Sequence, residues 1–285
     1  MLKYRGGKTR EIPEIMPFVP AEYDRYIEPF FGGGALFFHL EPERAIINDL
    51  NGPLMDFYRG VRDDFGHVRA DLDRLQERYE AQRADFESRK AAAPEERVHD
   101  DNEDDYYAIR DMYNGLRQAE HTSAAIYYYI NKTAYSGMIR YNAQGEYNVP
   151  YGRYKHMNTA VVDQAHAELL QRAELLNGDY QTAFNMAGPD DFMFLDPPYD
   201  CVFSDYGNAE LRDGFSHEEH ERLAQAFFDL PCRALLVIGK TPFTQRLYGD
   251  HVVHEYSKAY AVNIRNRFKA ASMHILVTNR PFEGE

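Results

Sequence analysis

A chain of 285 residues, 44% hydrophobic and 14% aromatic, has room for one large α/β domain or a domain carrying an insertion, built on a sizeable core. Its formal net charge of -14 argues against an indiscriminate polyanion binder, because phosphate contact is chiefly electrostatic. The 2 cysteines, Cys201 and Cys232, can build neither a disulfide framework nor a metal cluster, and without a leader or a bilayer-length apolar run a cytoplasmic protein is expected, with no membrane and no metal partner.

The chain opens on Lys3-Tyr4-Arg5-Gly6-Gly7-Lys8. A glycine pair lets backbone approach a ligand closely and the cations suit a carboxylate or phosphate; an ordinary flexible terminus would look the same. Residues 26–31 then read as a strand, Gly32-Gly33-Gly34 as a tight turn, 35–40 as a helix, and 44–49 as a second strand ending in Asp49. Glycines at the first turn, with an acid closing the next strand, are the layout that holds a ribosylated adenine cofactor. A nicotinamide dinucleotide would want a further glycine where Phe37 stands, so a nucleoside without a pyrophosphate, such as S-adenosylmethionine, fits better.

From residue 56 to 125 the pattern turns helical, with apolar stripes at Val68-Leu72-Leu75-Tyr79 and Tyr106-Ile109-Met112-Leu116. Between them, 91–105 reads as a mobile acidic linker whose carboxylates form a solvated face rather than a metal site. Residues 130–142 and 147–155, joined by Ala143-Gln144-Gly145-Glu146, read as a hairpin. It carries Lys132, Arg140, Arg153 and Lys155 among tyrosines, with Glu146 as its acid. Cations for phosphates, an arginine for guanine edges and tyrosines for stacking are what a nucleic-acid reader needs, whereas a core hairpin would carry fewer arginines.

The α/β pattern resumes after residue 160, with a helix at 167–170 and a strand ending near Gly178-Asp179-Tyr180. Phe192-Met193-Phe194-Leu195 is then a buried strand stopped by Asp196-Pro197-Pro198-Tyr199. The prolines contribute no N–H donors, so carbonyls and the Asp196 carboxylate beside a flat tyrosine suit an exocyclic amino group on a heterocycle; a plain strand-terminating loop is the alternative. Residues 200–214 form a polar loop able to close over a substrate, and Ser216 with Glu219 caps a helix running through Phe228. Strands follow at 235–239 and 274–278, with a basic loop, Arg265-Asn266-Arg267-Phe268-Lys269, between them, and Cys232 reads as structural.

Together these segments resemble the Dam-type adenine N6 DNA methyltransferases of the D12 class, in the order N-terminal cofactor segment, glycine loop, target-recognition insertion, Asp-Pro-Pro-Tyr. The resemblance covers most of the chain except 91–105; Asp-Pro-Pro-Tyr is shared with many amino-methyltransferases, while 140–155 is similar to the hairpin of GATC-methylating enzymes. It implies an α/β, Rossmann-like methyltransferase sheet with helices on both faces, formed by 1–55 and 161–285. It also implies a mostly helical target-recognition domain at 56–160 with a β-hairpin at about 135–155. Carried over residue by residue, Tyr4, Lys8 and Asp49 would contact S-adenosylmethionine above Gly32 and Gly34, with Asp179 and Asp196 also on the cofactor side. Asp196, Pro197 and Tyr199 would form the reaction centre. Lys3 would face a guanine, Tyr135 insert beside the extruded adenine, Ser136 follow it, Arg140 read a guanine and Arg153 bind DNA.

Tyr4 stands where tryptophan is usual and Ser136 where asparagine is common, and Gly239-Lys240-Thr241 departs from the family's usual pattern. The implied activity is methyl transfer from S-adenosylmethionine to N6 of a flipped adenine in double-stranded DNA, within GATC, by a chain that is monomeric in solution. The same acceptor geometry would serve a cytosine-N4 or RNA-adenine methyltransferase, and an inactive DNA-binding relative would retain the fold.

Overall fold

The computed structural model describes residues 1–4, 6–199, 215–258 and 272–281. Its elements begin with α1 (Ile12–Ile15), β1 (Tyr26–Glu28), α2 (Phe37–Leu40) and β2 (Ala45–Asp49). Next come α3 (Gly52–Asp63), α4 (Phe65–Ala92), α5 (Asp101–Tyr113), α6 (Ser123–Thr133) and α7 (Gln164–Leu170). Strands resume with β3 (Ala173–Asn177), α8 (Gln181–Asn185) and β4 (Phe192–Leu195). The chain finishes through α9 (His217–Phe228), β5 (Arg233–Gly239), α10 (Pro242–Tyr248), β6 (Val252–Lys258) and β7 (Ser272–Thr278).

The chain divides into two compact units. One comprises the described residues of 8–50 and 173–281 and holds every strand named above; the other comprises 1–7 and 51–172.

In the sheet unit the strand order is β3-β2-β1-β4-β5-β7-β6, with β7 antiparallel to both neighbours. This is a mixed α/β sheet with helices on both sides, the architecture expected of a methyltransferase. β2 and β4 are buried along their whole length, which explains why they read as apolar runs rather than alternating ones. Ile27, Ile46, Met193, Leu195, Leu236 and Ile275 pack with Phe184, Leu223, Phe227 and Tyr248 from the helices. Chain growth runs one way from β1 to β3 and the other way from β4 to β5, so the order reverses between β1 and β4. Ligands of open α/β sheets bind at the carboxyl ends of the strands at such a reversal.

The helical unit is organised around α6, nearly every side chain of which is buried. α3, α4 and α5 all pack against it. Where α3 crosses α6, a Cβ on Gly60 would meet the Ala124 Cβ at 2.7 Å, so glycine sets how closely the helices approach. Thr122 caps α6 by accepting from Ala125 N, and the buried Asp71 on α4 accepts from Thr122 N at 2.7 Å and pairs with Arg74.

Several expectations are corrected. Residues 91–105 are not linker throughout: α4 runs to Ala92, Asp100 caps α5, and Asp101, Glu103 and Asp104 lie in its first turn, where carboxylates complement the helix dipole, so the connection narrows to 93–99. Lys90 Nζ ties the connection by donating to the carbonyls of Pro94 and Glu96. Leu116 is 64% exposed, because α5 ends at Tyr113 and Gly115 adopts a φ of 71°. The hairpin is a loop pinned by single antiparallel bridges, Ala134 with Tyr151 and Tyr141 with Tyr147, rather than a continuous ladder. Residues 130–133 belong to α6, and positive φ at Ser136, Gly137, Gly145 and Arg153 interrupts the extended backbone. The loop at 200–214, Cys201 and the basic loop at 265–269 lie outside the described residues.

Asp71→Ala should leave the Thr122 N–H without its acceptor and lower unfolding free energy by about 1.5–3 kcal/mol, the range for hydrogen bonds to charged groups, in urea titrations. A change within about 0.5 kcal/mol would show that the cap on α6 needs no such support.

Candidate active site

The turn after β1 lies at the order reversal. Gly32 and Gly34 have φ of 48° and 62°, and a Cβ on Gly34 would meet the Phe31 ring at 2.5 Å, so a side chain is excluded by both conformation and space. Gly32 N donates to Asp49 Oδ2 at 2.8 Å, fixing the acid at the end of β2 against the turn. Asn48 secures the same edge by donating to the carbonyls of Pro29 and Gly178. Glu28, buried at the end of β1, accepts from Tyr26 Oη at 2.7 Å and from the Phe37 backbone N–H that opens α2. Burial pushes its carboxyl well above the usual range, and the nearby Asp196 and Asp49 push the same way against those hydrogen bonds.

β4 is parallel to β1, with Ile27 opposite Met193, so Asp196 emerges on the strand adjoining the glycine turn. Its side chain is 21% exposed, and Lys8 Nζ donates to Oδ2 at 2.6 Å. Burial raises the carboxyl, the Lys8 charge and hydrogen bond oppose it, and Glu11 adds to the rise. The Tyr199 ring lies 5.0 Å from Lys8 Nζ, and a Cβ on Gly239 would meet it at 3.4 Å. Lys8, Gly32, Gly34, Asp49, Asp196, Pro197 and Tyr199 therefore converge on one sheet edge.

Asp179 follows Gly178, whose N–H donates to the Asp49 carbonyl at 3.3 Å and whose carbonyl accepts from Asn48 at 2.9 Å, so it adjoins the same edge. At the end of β3 its carboxylate takes Arg222 at 2.7 Å and the Gln181 N–H at 2.8 Å, which hold it below its ordinary value despite burial.

The DNA-directed candidates and Tyr4 fall in the helical unit. The Tyr4 carbonyl accepts from Gly7 N at 3.3 Å. Asn131 clasps the Lys3 backbone, donating to its carbonyl and accepting from its N–H, both at 2.8 Å. Lys3 Nζ lies 3.6 Å over the Tyr154 ring and donates to the Lys132 carbonyl. Burial, then the neighbouring Lys3, pulls Lys132 down to about 8. Tyr135 is 55% exposed at the turn containing Ser136, and a Cβ on Gly137 in that turn would meet Lys3 at 3.4 Å. Lys3, Tyr135 and Ser136 thus gather at one turn. Arg140 is exposed and braced by Asn148, donating to Oδ1 at 2.8 Å and to the carbonyl at 3.1 Å. Arg153 is paired with Glu103 of α5 at 2.6 Å, an acid that the hairpin's own composition does not reveal.

Sequence reasoning missed Glu11 and His274. Glu11 is buried and accepts from Tyr256 Oη at 2.6 Å, from Lys258 Nζ and from His274 Nδ1 at 2.8 Å. Burial alone would raise its carboxyl, but those bonds and the Lys8 charge bring it down to about 2. Glu11 and His274 are separated by 263 positions, and no local spacing links them. The one available signal was an acid three residues beyond a lysine already singled out.

The family model for D12 class N6 adenine-specific DNA methyltransferase matches residues 4–264. The chain is 31% identical over 271 residues to Type II methyltransferase M.CviBI of Paramecium bursaria Chlorella virus NC1A, covering 93% of this chain and 92% of that one. It is 29% identical over 297 residues to Type II methyltransferase M1.LlaDCHI of Lactococcus lactis subsp. cremoris, covering 97% and 94%. With a DNA adenine methylase of Haemophilus influenzae the identity is 32% over 199 residues, covering 70% and 63%.

Since Glu11 titrates at about 2 when folded against an ordinary 4.5, its ionised form stabilises the fold by roughly 3 kcal/mol above about pH 4.5. That contribution is lost as pH falls towards 2. The difference in unfolding free energy between the protein and Glu11→Gln should therefore be widest at neutral pH and narrow below about 4.5. A pH-independent difference would remove the ionised acid as its source.

Proposed function

We propose, for a chain that belongs to the D12 class of N6 adenine-specific DNA methyltransferases, that S-adenosylmethionine is the methyl donor and an adenine turned out of double-stranded DNA, within GATC, the acceptor. The observation that carries this reading is Asp196 held by Lys8 at 2.6 Å on the strand adjoining the glycine turn, where the sheet order reverses. The cofactor assignment fits the residues present: a turn closed to side chains at Gly34 and an acid, Asp49, fixed beside it for ribose hydroxyls. When bound, S-adenosylmethionine supplies an electrophilic methyl group.

An adenine amino group is a poor nucleophile, because its lone pair is delocalised into the ring. In our reading Asp196 and the Pro197 carbonyl accept its two hydrogens, which pyramidalises the nitrogen and frees the lone pair. Lys8, on Oδ2, holds the carboxylate's orientation while Oδ1 takes one hydrogen. Tyr199 stacks on the base, which must leave the helix to reach this edge. The chain's contribution is then positioning, with an in-line approach and no covalent intermediate.

In the helical unit, Lys3, Tyr135 and Ser136 are assigned to the space beside the extruded base, Arg140 to a guanine edge and Arg153 to the DNA backbone. The Asn148 brace supports the first arginine as a reader, since a base contact needs a guanidinium of fixed orientation.

Incubation of GATC duplex with labelled cofactor, nucleoside digestion and mass analysis tests the reaction; N6-methyl-2′-deoxyadenosine is expected, and N4-methyl-2′-deoxycytidine would overturn it. Asp196→Ala should reduce transfer by about 100-fold or more while cofactor binding remains measurable, as befits loss of a group acting at the transition state. Transfer near the wild-type rate would remove the mechanism. Arg140→Ala should relax preference at one base by about 1–3 kcal/mol, read from rates on single-substituted duplexes. An equal loss on all duplexes would reassign it to a phosphate.

A further inference from the structure

We propose that Glu11 and His274 are a buried positioning pair that sets the orientation of the Tyr199 ring, an inference resting on the reading of Tyr199 as the plate for the target base. His274 lies in β7, wholly buried, opposite Gly239 of β5 and Tyr256 of β6. Its ring meets Tyr199 edge-on, with centroids 5.0 Å apart and planes at 82°, and Nδ1 is 3.5 Å from the tyrosine oxygen. The Tyr256 ring, 5.5 Å away at 68°, is a second neighbour.

Nδ1 is also 2.8 Å from Glu11 Oε2. An ionised carboxylate only accepts, so Nδ1 carries the hydrogen, and that fixes both the tautomer and the tilt of the imidazole. Rotating the ring would break a charge-assisted bond inside the core, where replacing it with water is not open. The edge presented to Tyr199 is therefore set from behind by Glu11. Gly239 leaves room for the tyrosine on β5, and Lys8 lies 5.0 Å from its ring centre.

Glu11 is itself immobilised. Lys258 and Tyr256 bind it from β6, and its backbone N–H donates to the Lys8 carbonyl at 2.7 Å. One acid thus braces the tyrosine through His274 and, through the Lys8 turn, the lysine that grips Asp196. A polar cluster serving stability alone would not need an aromatic edge held against the residue that receives the base.

The test compares kcat, the KM for duplex, the dissociation constant for S-adenosylmethionine and thermal unfolding in the full chain. His274→Phe keeps a ring against Tyr199 but removes Nδ1. It should lower kcat about tenfold, the scale of a small misplacement of a reacting group, with cofactor binding within about twofold. His274→Asn, whose amide nitrogen can reach Glu11 from the place of Nδ1, should recover most of that loss. In a Tyr199→Ala background His274→Phe should cost nothing further, because the two act through one ring. Should His274→Phe not fold, His274→Leu, which also removes Nδ1 and leaves Glu11 in place, is read on the same scale.

Wild-type kcat in the soluble variant, or losses that multiply with Tyr199→Ala, would overturn the pair. If Tyr199→Ala alone left kcat unchanged, the plate reading would fail instead, whatever His274 does.

Discussion

The ion pair between Lys8 and Asp196 is the constraint from which the sheet unit's chemistry follows. A carboxylate at the end of a buried strand loses most of its hydration, and a paired cation returns that energy only when geometry and further hydrogen bonds are good. Here the cation is itself 4% exposed, so it too needs compensation. Glu11 provides it at one remove, with its own burial offset by Lys258, Tyr256 and His274. Charges therefore alternate through the interior, and removing one member exposes the next to an uncompensated field. The edge strand β6 and its neighbour β7 are thus tied to the same charge network as the strand bearing Asp-Pro-Pro-Tyr.

The same N-terminal segment serves both units. Lys3 is clasped by Asn131 in the helical unit, while Lys8 and Glu11 belong to the sheet unit, a division that falls between Gly7 and Lys8. The glycine pair at residues 6 and 7 suits such a junction, Gly6 adopting a φ of 82° that a side chain would strain.

Much of this was legible from the sequence wherever the determinant was local. β4 announced itself by an apolar run stopped at two prolines, β2 by its terminal acid, and α4 by the stripe at Val68, Leu72, Leu75 and Tyr79, all of them buried. The glycine turn was equally plain, and its φ angles supply the reason. What could not be read was set by distant partners. β6 is half-buried or exposed at every position but Tyr256, as an edge strand can be, so no apolar run marked it. Glu11 became a hub only because β6 and β7 bring Lys258, Tyr256 and His274 to it. The acids at 101–105 misled because composition alone does not distinguish a solvated linker from a helix N-terminus; the capping Asp100 and the buried Asn102 decide it.

A net charge of -14 on a chain that acts on DNA means that attraction to phosphates must come from local groups of cations rather than from the overall field. Asp56, Asp63, Asp73, Asp85 and Glu87 each pair with an arginine one to four residues away, and such exposed pairs contribute little to stability while cancelling long-range field. Around the exposed Tyr135, by contrast, stand Lys3, with Lys132 beneath it, and the Asn148-braced Arg140 is drawn from the same loop. Glu103 offsets the charge of Arg153 at 2.6 Å. Under the proposed reading, oriented cations at this loop would shift part of the burden of recognition from phosphates to base edges. A large positive face would hold every duplex alike; a small one leaves discrimination to the fit of individual side chains.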